Sequence, residues 1–154
     1  MKLPFKSGLT VVEILVSLTI MSVLVVIVFN TFTVFRRNQA LNMDTDIIVE
    51  VLRQARNQTL SSKNSSVYGV HFAPPKITLF VGASYIQNNP TNQDFVLSSG
   101  DTILTINLAP NGSDVVFQRL TGETVNFGTV VVSSIGISKT KTVTIYKTGL
   151  TESQ

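Results

Sequence analysis

From Ile14 to Phe35 the chain runs for 22 residues without a charge, a glycine or a proline. As a helix rising about 1.5 Å per residue, this run reaches roughly 33 Å, enough to cross a hydrocarbon layer of about 30 Å. The chain then turns polar without breaking. No glycine or proline occurs between Gly8 and Gly69, and Ile47, Ile48, Val51, Leu52 and Ala55 recur at helical spacing with Asp46, Glu50, Arg53 and Arg56 on other faces. The pattern predicts one helix from about Thr10 to about Leu60, roughly 75 Å long. Its first half is bare. Its second half carries an apolar stripe that must bury against the rest of the chain. The cluster Ser61 to Ser66 ends it.

From Val67 onward the texture is that of β-structure. Apolar and β-branched runs recur at 67–72, 77–81, 95–97, 103–108, 115–118, 125–127, 129–133 and 141–147. Pro74-Pro75, Asn111-Gly112 and Thr121-Gly122 mark turns, and Gly82 to Asp94, rich in Asn and Gln, reads as an exposed loop. The expected class is α+β. A long N-terminal helix, membrane-spanning in its first half, packs through its second half on an antiparallel β-sheet domain and leaves the apolar half free. The expected divisions are 1–8, a leader; 9–35, the apolar helix half; 36–64, the amphipathic half; and 65–154, the β-rich domain.

Composition narrows the function classes. Only 14% of the 154 residues are charged, and the formal net charge is +3. Lys2 and Lys6 supply two of those charges, so the chain beyond the leader carries only +1 and no broad electrostatic drive toward nucleic acid. With no cysteine, no disulfide can staple an exported domain.

Glu13 stands at the front of the apolar run. A carboxylate inside a spanning helix costs about 2.5–3.5 kcal/mol at the helix centre and less near its end, so it asks for a cationic partner. No Lys or Arg lies within a helical turn of it. A free α-amino group would serve if the chain were cut just upstream, and Gly8, which closes the basic leader, offers that cut. Leu9 would then be the first residue and Glu13 the fifth. An ordinary secretory signal fits poorly, because its apolar core should be about 7–15 residues with a small-residue site after it. A simple single-pass anchor leaves Glu13 unexplained.

Lys6-Ser7-Gly8, then Leu9-Thr10-Val11-Val12-Glu13 and the long apolar run resemble the class III signal of type IV pilins and pseudopilins. That resemblance implies cleavage between Gly8 and Leu9 by a prepilin peptidase, N-methylation of Leu9, and assembly through Thr10 and Glu13. Glu13 would pair with the N-terminus of a neighbouring subunit. The implied partners are other pilin or pseudopilin subunits, the peptidase, an inner-membrane assembly platform and membrane lipid. Two positions depart from the common pattern: Leu9 replaces Phe or Met, and Asn30 stands where many pilins have a helix-kinking proline. Leu52 to Gln58 and Val115 to Gly122 are similar to segments of minor H-type pseudopilins, the GspH/FimT class. The expected function is a structural subunit of a pilus or of a type II secretion-like filament. It would sit in the inner membrane with its β-domain extracytoplasmic. A major pilin or a DNA-binding minor pilin of an uptake system is the alternative.

No catalytic constellation accompanies this. His71 is the single histidine, no G-x-S-x-G occurs, and no cofactor or metal site is expected. His71 reads as a core or edge-strand residue. Asp44 and Asp46, two apart on a helix, diverge and read as a solvated face. Asp94 and Asp101, as Ca²⁺ ligands, would be two scattered acids, a minor reading. Lys139, Lys141 and Lys147 could touch a few phosphates of DNA, against the plainer reading of a charged strand that discourages edge-to-edge association.

Overall fold

The computed structural model describes residues 10–110 and 112–154. The leader, with the Gly8–Leu9 cleavage site, lies outside the described residues, as does Asn111 of the Asn-Gly turn.

One α-helix, α1, spans Val11–Leu60. The chain divides after Arg36 into two units, each described by itself. In the first unit every residue from Val11 to Phe35 is exposed. This helix is long and apolar enough to cross a membrane, and none of its most apolar stretch is buried. Its uncharged polar side chains bond back to the helix. Ser17, Thr19, Ser22, Thr31 and Thr33 each donate to a carbonyl three or four residues back, at 2.7–3.0 Å, and Asn30 Nδ2 donates to the Val26 carbonyl at 3.1 Å. Back-bonded in this way, they add little polarity to the surface.

The second unit contains the rest of α1 and eight strands. These are β1 (Tyr68–Ala73), β2 (Lys76–Val81), β3 (Gln93–Val96), β4 (Asp101–Ala109), β5 (Asp114–Val116), β6 (Phe127–Ser134), β7 (Thr140–Ile145) and β8 (Thr151–Ser153). They form two antiparallel four-stranded sheets, ordered β3-β2-β1-β5 and β4-β6-β7-β8. The β1–β2 hairpin pairs Ala73 with Lys76 around Pro74-Pro75, as the turn signal predicts. A bulge between Ile103 and Thr105 breaks the β4–β6 ladder and leaves Leu104 exposed.

Leu41, Ile48, Val51, Leu52 and Ala55 of α1 share one core with Val70, Phe72 and Ile77 of the first sheet and Val130, Val132, Val143 and Ile145 of the second. Burial of this apolar stripe, rather than helix propensity, is what holds that part of α1 in place. Thr59 locks the helix end to the sheet: its Oγ1 donates to the Ala55 carbonyl at 2.9 Å and accepts from the Tyr68 N–H at 2.9 Å. A short 3₁₀ turn, Lys63–Ser65, follows, with Ser62 and Asn64 left-handed.

Several expectations change. The β-domain is antiparallel, as expected, and divides into two sheets. Residues 125 and 126 form a bend before β6 rather than a strand, because Thr124 Oγ1 accepts from the Asn126 N–H and closes a local turn. β8 went unpredicted: three residues are too short for an alternating pattern, and β8 is fixed by pairing with β7. Ile47 lies outside the buried stripe, at 38% exposure. Asp44, expected on a solvated face, is 2% exposed, because it falls in line with Leu41, Ile48 and Leu52 on the inward face. Asp46 is exposed, as expected.

Candidate functional site

The first turn of α1 is built by Thr10 and Glu13. Thr10 precedes the helix, and its Oγ1 accepts the Glu13 N–H at 3.2 Å while its carbonyl accepts the first helical bond, from Ile14 N, at 3.2 Å. Thr-x-x-Glu is the capping-box spacing, which fixes the helix start at this threonine. An acid in the first turn also suits the positive end of the helix dipole. The three-residue spacing of Thr10 and Glu13 is the sequence signal for this cap.

Glu13 therefore has a local reason to exist, but its carboxylate is not used up by it. Among the described residues it has no ion-pair partner, and the neighbouring Val12, Ile14, Leu15 and Val16 are all exposed aliphatics. The hydroxyls nearest in sequence are committed: Thr10 to the Glu13 N–H and Ser17 to the Glu13 carbonyl, the latter at 2.7 Å. What remains is one carboxylate at the head of a fully exposed apolar helix. Exposed apolar surface on this scale marks a contact with lipid or protein.

The three lysines do not gather. Lys139 precedes β7, Lys141 is near its start and Lys147 lies in the turn after it, so Lys141 and Lys147 stand at opposite ends of the strand. Lys141 is half-buried, sharing the inward parity of Val143 and Ile145.

The other candidates are occupied by ordinary partners. His71 lies on β1, an interior strand of its sheet rather than an edge. Its Nδ1 is 2.5 Å from Asp114 Oδ1, and its ring stacks on Tyr85 with centroids 3.9 Å apart. No nucleophilic hydroxyl completes that pair among the bonded residues. Asp94 accepts from Lys76 Nζ at 2.5 Å and Thr78 Oγ1 at 2.6 Å. Those contacts, the lysine first, hold its carboxyl below the usual range. Among the described residues no cluster of three or more acids, histidines or cysteines could hold a metal ion.

Asp44 and Asp101 form a pair that sequence reading missed. They lie 57 positions apart in the chain, and only the fold brings α1 to the start of β4. Asp44 Oδ2 accepts the Ser98 N–H at 2.7 Å and Oδ1 accepts the Ser98 hydroxyl at 3.0 Å. Asp101 is 5% exposed, and its buried Oδ2 has no hydrogen-bond partner. Burial pushes the Asp44 carboxyl above its ordinary value; the Ser98 hydrogen bonds oppose this and the adjacent Asp101 carboxyl adds to it.

Comparison with protein-family models, with curated proteins and with solved structures finds no match to this chain.

Proposed function

We propose that this protein is a filament subunit of the type IV pilin and pseudopilin kind, most similar to the minor H-type pseudopilins. It waits in the inner membrane, held by Leu9 to Phe35, with its β-domain outside the cytoplasm. A prepilin peptidase removes Met1 to Gly8 and methylates the Leu9 amine. Subunits then pack their apolar helices together, and Glu13 pairs with the Leu9 amine of a neighbour to set axial register. An assembly platform in the membrane and other pilin-like subunits are the partners.

The observation that carries this reading is the Glu13 carboxylate, partnerless among the described residues, at the head of an uncovered apolar helix. In apolar surroundings such a group gains far more from a cation than it can from solvent, and removing either member leaves the other uncompensated. A lone anchor accounts for the helix cap at Glu13 but leaves its carboxylate unpaired. The helix hydroxyls, all turned onto their own backbone, suit lipid before assembly and neighbouring helices afterwards.

Mass spectrometry of the N-terminus of the mature protein tests the reading directly. A chain beginning at a methylated Leu9 is the expected result. A chain that keeps Met1 in cells with an active prepilin peptidase overturns it and leaves a membrane-anchored β-domain.

A further inference from the structure

We propose that the cleft lined by Arg53, Arg56, Asn57, Gly149, Leu150 and Thr151 binds an oxyanion, either a phosphate or a carboxylate group. The cleft has a volume of about 250 Å³ and lies where the last turns of the helix meet the approach to β8. It is independent of the filament reading, because it involves neither Glu13 nor the apolar helix.

Arg56 is held in place rather than waving in solvent. Its Nε donates to the Gly122 carbonyl at 3.1 Å. Two glycines make room for the guanidinium. A Cβ on Gly122 would come 2.9 Å from Arg56 Nε; one on Gly149 would come equally close and would also strike the Gly122 carbonyl. Both glycines have positive φ, +67° and +76°, so the two turns present backbone with no side chain toward the arginine. Anchored through Nε, Arg56 keeps its two terminal nitrogens without a partner among the described residues. That edge of a guanidinium is the one that grips a carboxylate or phosphate in two-point fashion.

Arg53 lies one turn earlier on the same helix and has no ion pair among the described residues. Like charges at this spacing repel, which leaves a net attraction for an anion between them. No carboxylate lines the cleft to satisfy the pair internally. Asn57 brings an amide donor to the cleft wall. Thr151 also lines the cleft, and its buried Oγ1 has no hydrogen-bond partner among the described residues. Two guanidinium groups and an amide make a donor-rich cleft suited to oxygen-rich anions and unsuited to cations or apolar ligands.

The test follows the arginine side-chain N–H resonances of the full chain in detergent micelles. Inorganic phosphate and acetate are titrated separately at fixed ionic strength. Saturable shifts at Arg53 and Arg56, with none at Arg119, are expected with at least one anion. Saturation by phosphate alone assigns a phosphoryl group; saturation by acetate alone assigns a carboxylate; saturation by both assigns oxyanions at large. Arg53→Gln, an exposed change that leaves the fold intact, should weaken binding about tenfold, the loss of one charge-assisted contact. Arg56→Lys should abolish it, because lysine cannot hold the Gly122 carbonyl and still present a two-point edge. Absence of a saturable shift with either anion, an equal response at Arg119, or a response to duplex DNA alone overturns the proposal.

Discussion

Asp101→Asn should make the β-domain more stable at neutral pH, although it removes a charge from a protein with few of them. The Asp44 and Asp101 carboxyls are both buried and close enough to act on one another, and among the described residues Asp101 Oδ2 has no hydrogen-bond partner. A carboxyl beside another ionises less readily than one alone, which adds to the cost that burial sets on the ionised Asp44. The sign follows. The Asp44 carboxyl is raised above its ordinary value of 3.8, chiefly by burial. Its stabilising contribution is therefore complete below that value and is lost as pH climbs through the raised one. An asparagine at 101 donates an N–H to Asp44 at every pH and removes the partnerless oxygen. An unsatisfied buried polar atom costs about 1–3 kcal/mol. At about 4 °C of melting temperature per kcal/mol for a domain of this size, the variant should melt about 4–12 °C higher at pH 8. At pH 3.5 the two proteins should melt together. The assay is thermal unfolding of the full chain in detergent between pH 3.5 and 8, with a chelator present and then with calcium. Parallel melting curves for the two proteins across that range would refute the pH-linked cost at Asp44. So would a wild-type melting temperature that rises with calcium and falls with the chelator, which would put a cation there instead.

The other predictions are simpler. Glu13→Ala should insert in the membrane at wild-type level but enter filaments poorly, as measured by sheared-filament immunoblots; efficient incorporation would count against the register role. Thr59→Val should cost about 1–3 kcal/mol in denaturant unfolding, because the Tyr68 N–H loses its acceptor at 2.9 Å. Phe72→Ala, emptying a site that is 1% exposed, should cost about 3–5 kcal/mol.

The helix was legible because its signals are local. An apolar run, the absence of glycine and proline, and a stripe repeating every three or four residues all sit within one window of sequence. Most strands were legible for the same reason: Thr102 to Leu108 alternates, and Pro74-Pro75 turns the chain. The division into two sheets was not, since the pairing of β5 with β1 and of β4 with β6 joins segments far apart. The charge of Asp44 suggests a solvated residue like Asp46 beside it, whereas its position in the stripe with Leu41, Ile48 and Leu52 decides its burial. Its hydrogen bonds to Ser98 come from 54 residues away, where no spacing rule reaches. The arginine cleft was out of reach for a related reason. Gly122 and Gly149 look like plain turn glycines until the fold sets Arg56 against both.

The hydroxyls folded back onto the helix carbonyls have one more effect. A rod whose outer skin is mostly aliphatic and aromatic, with its hydroxyls already bonded, gives lateral neighbours few polar notches to catch on. Two such rods could slide lengthwise past each other with little change in energy, because one aliphatic contact replaces another. In a bundle of the proposed kind only the acid at the tip would tell one offset from the next, so a single residue would carry the task of measuring distance along it.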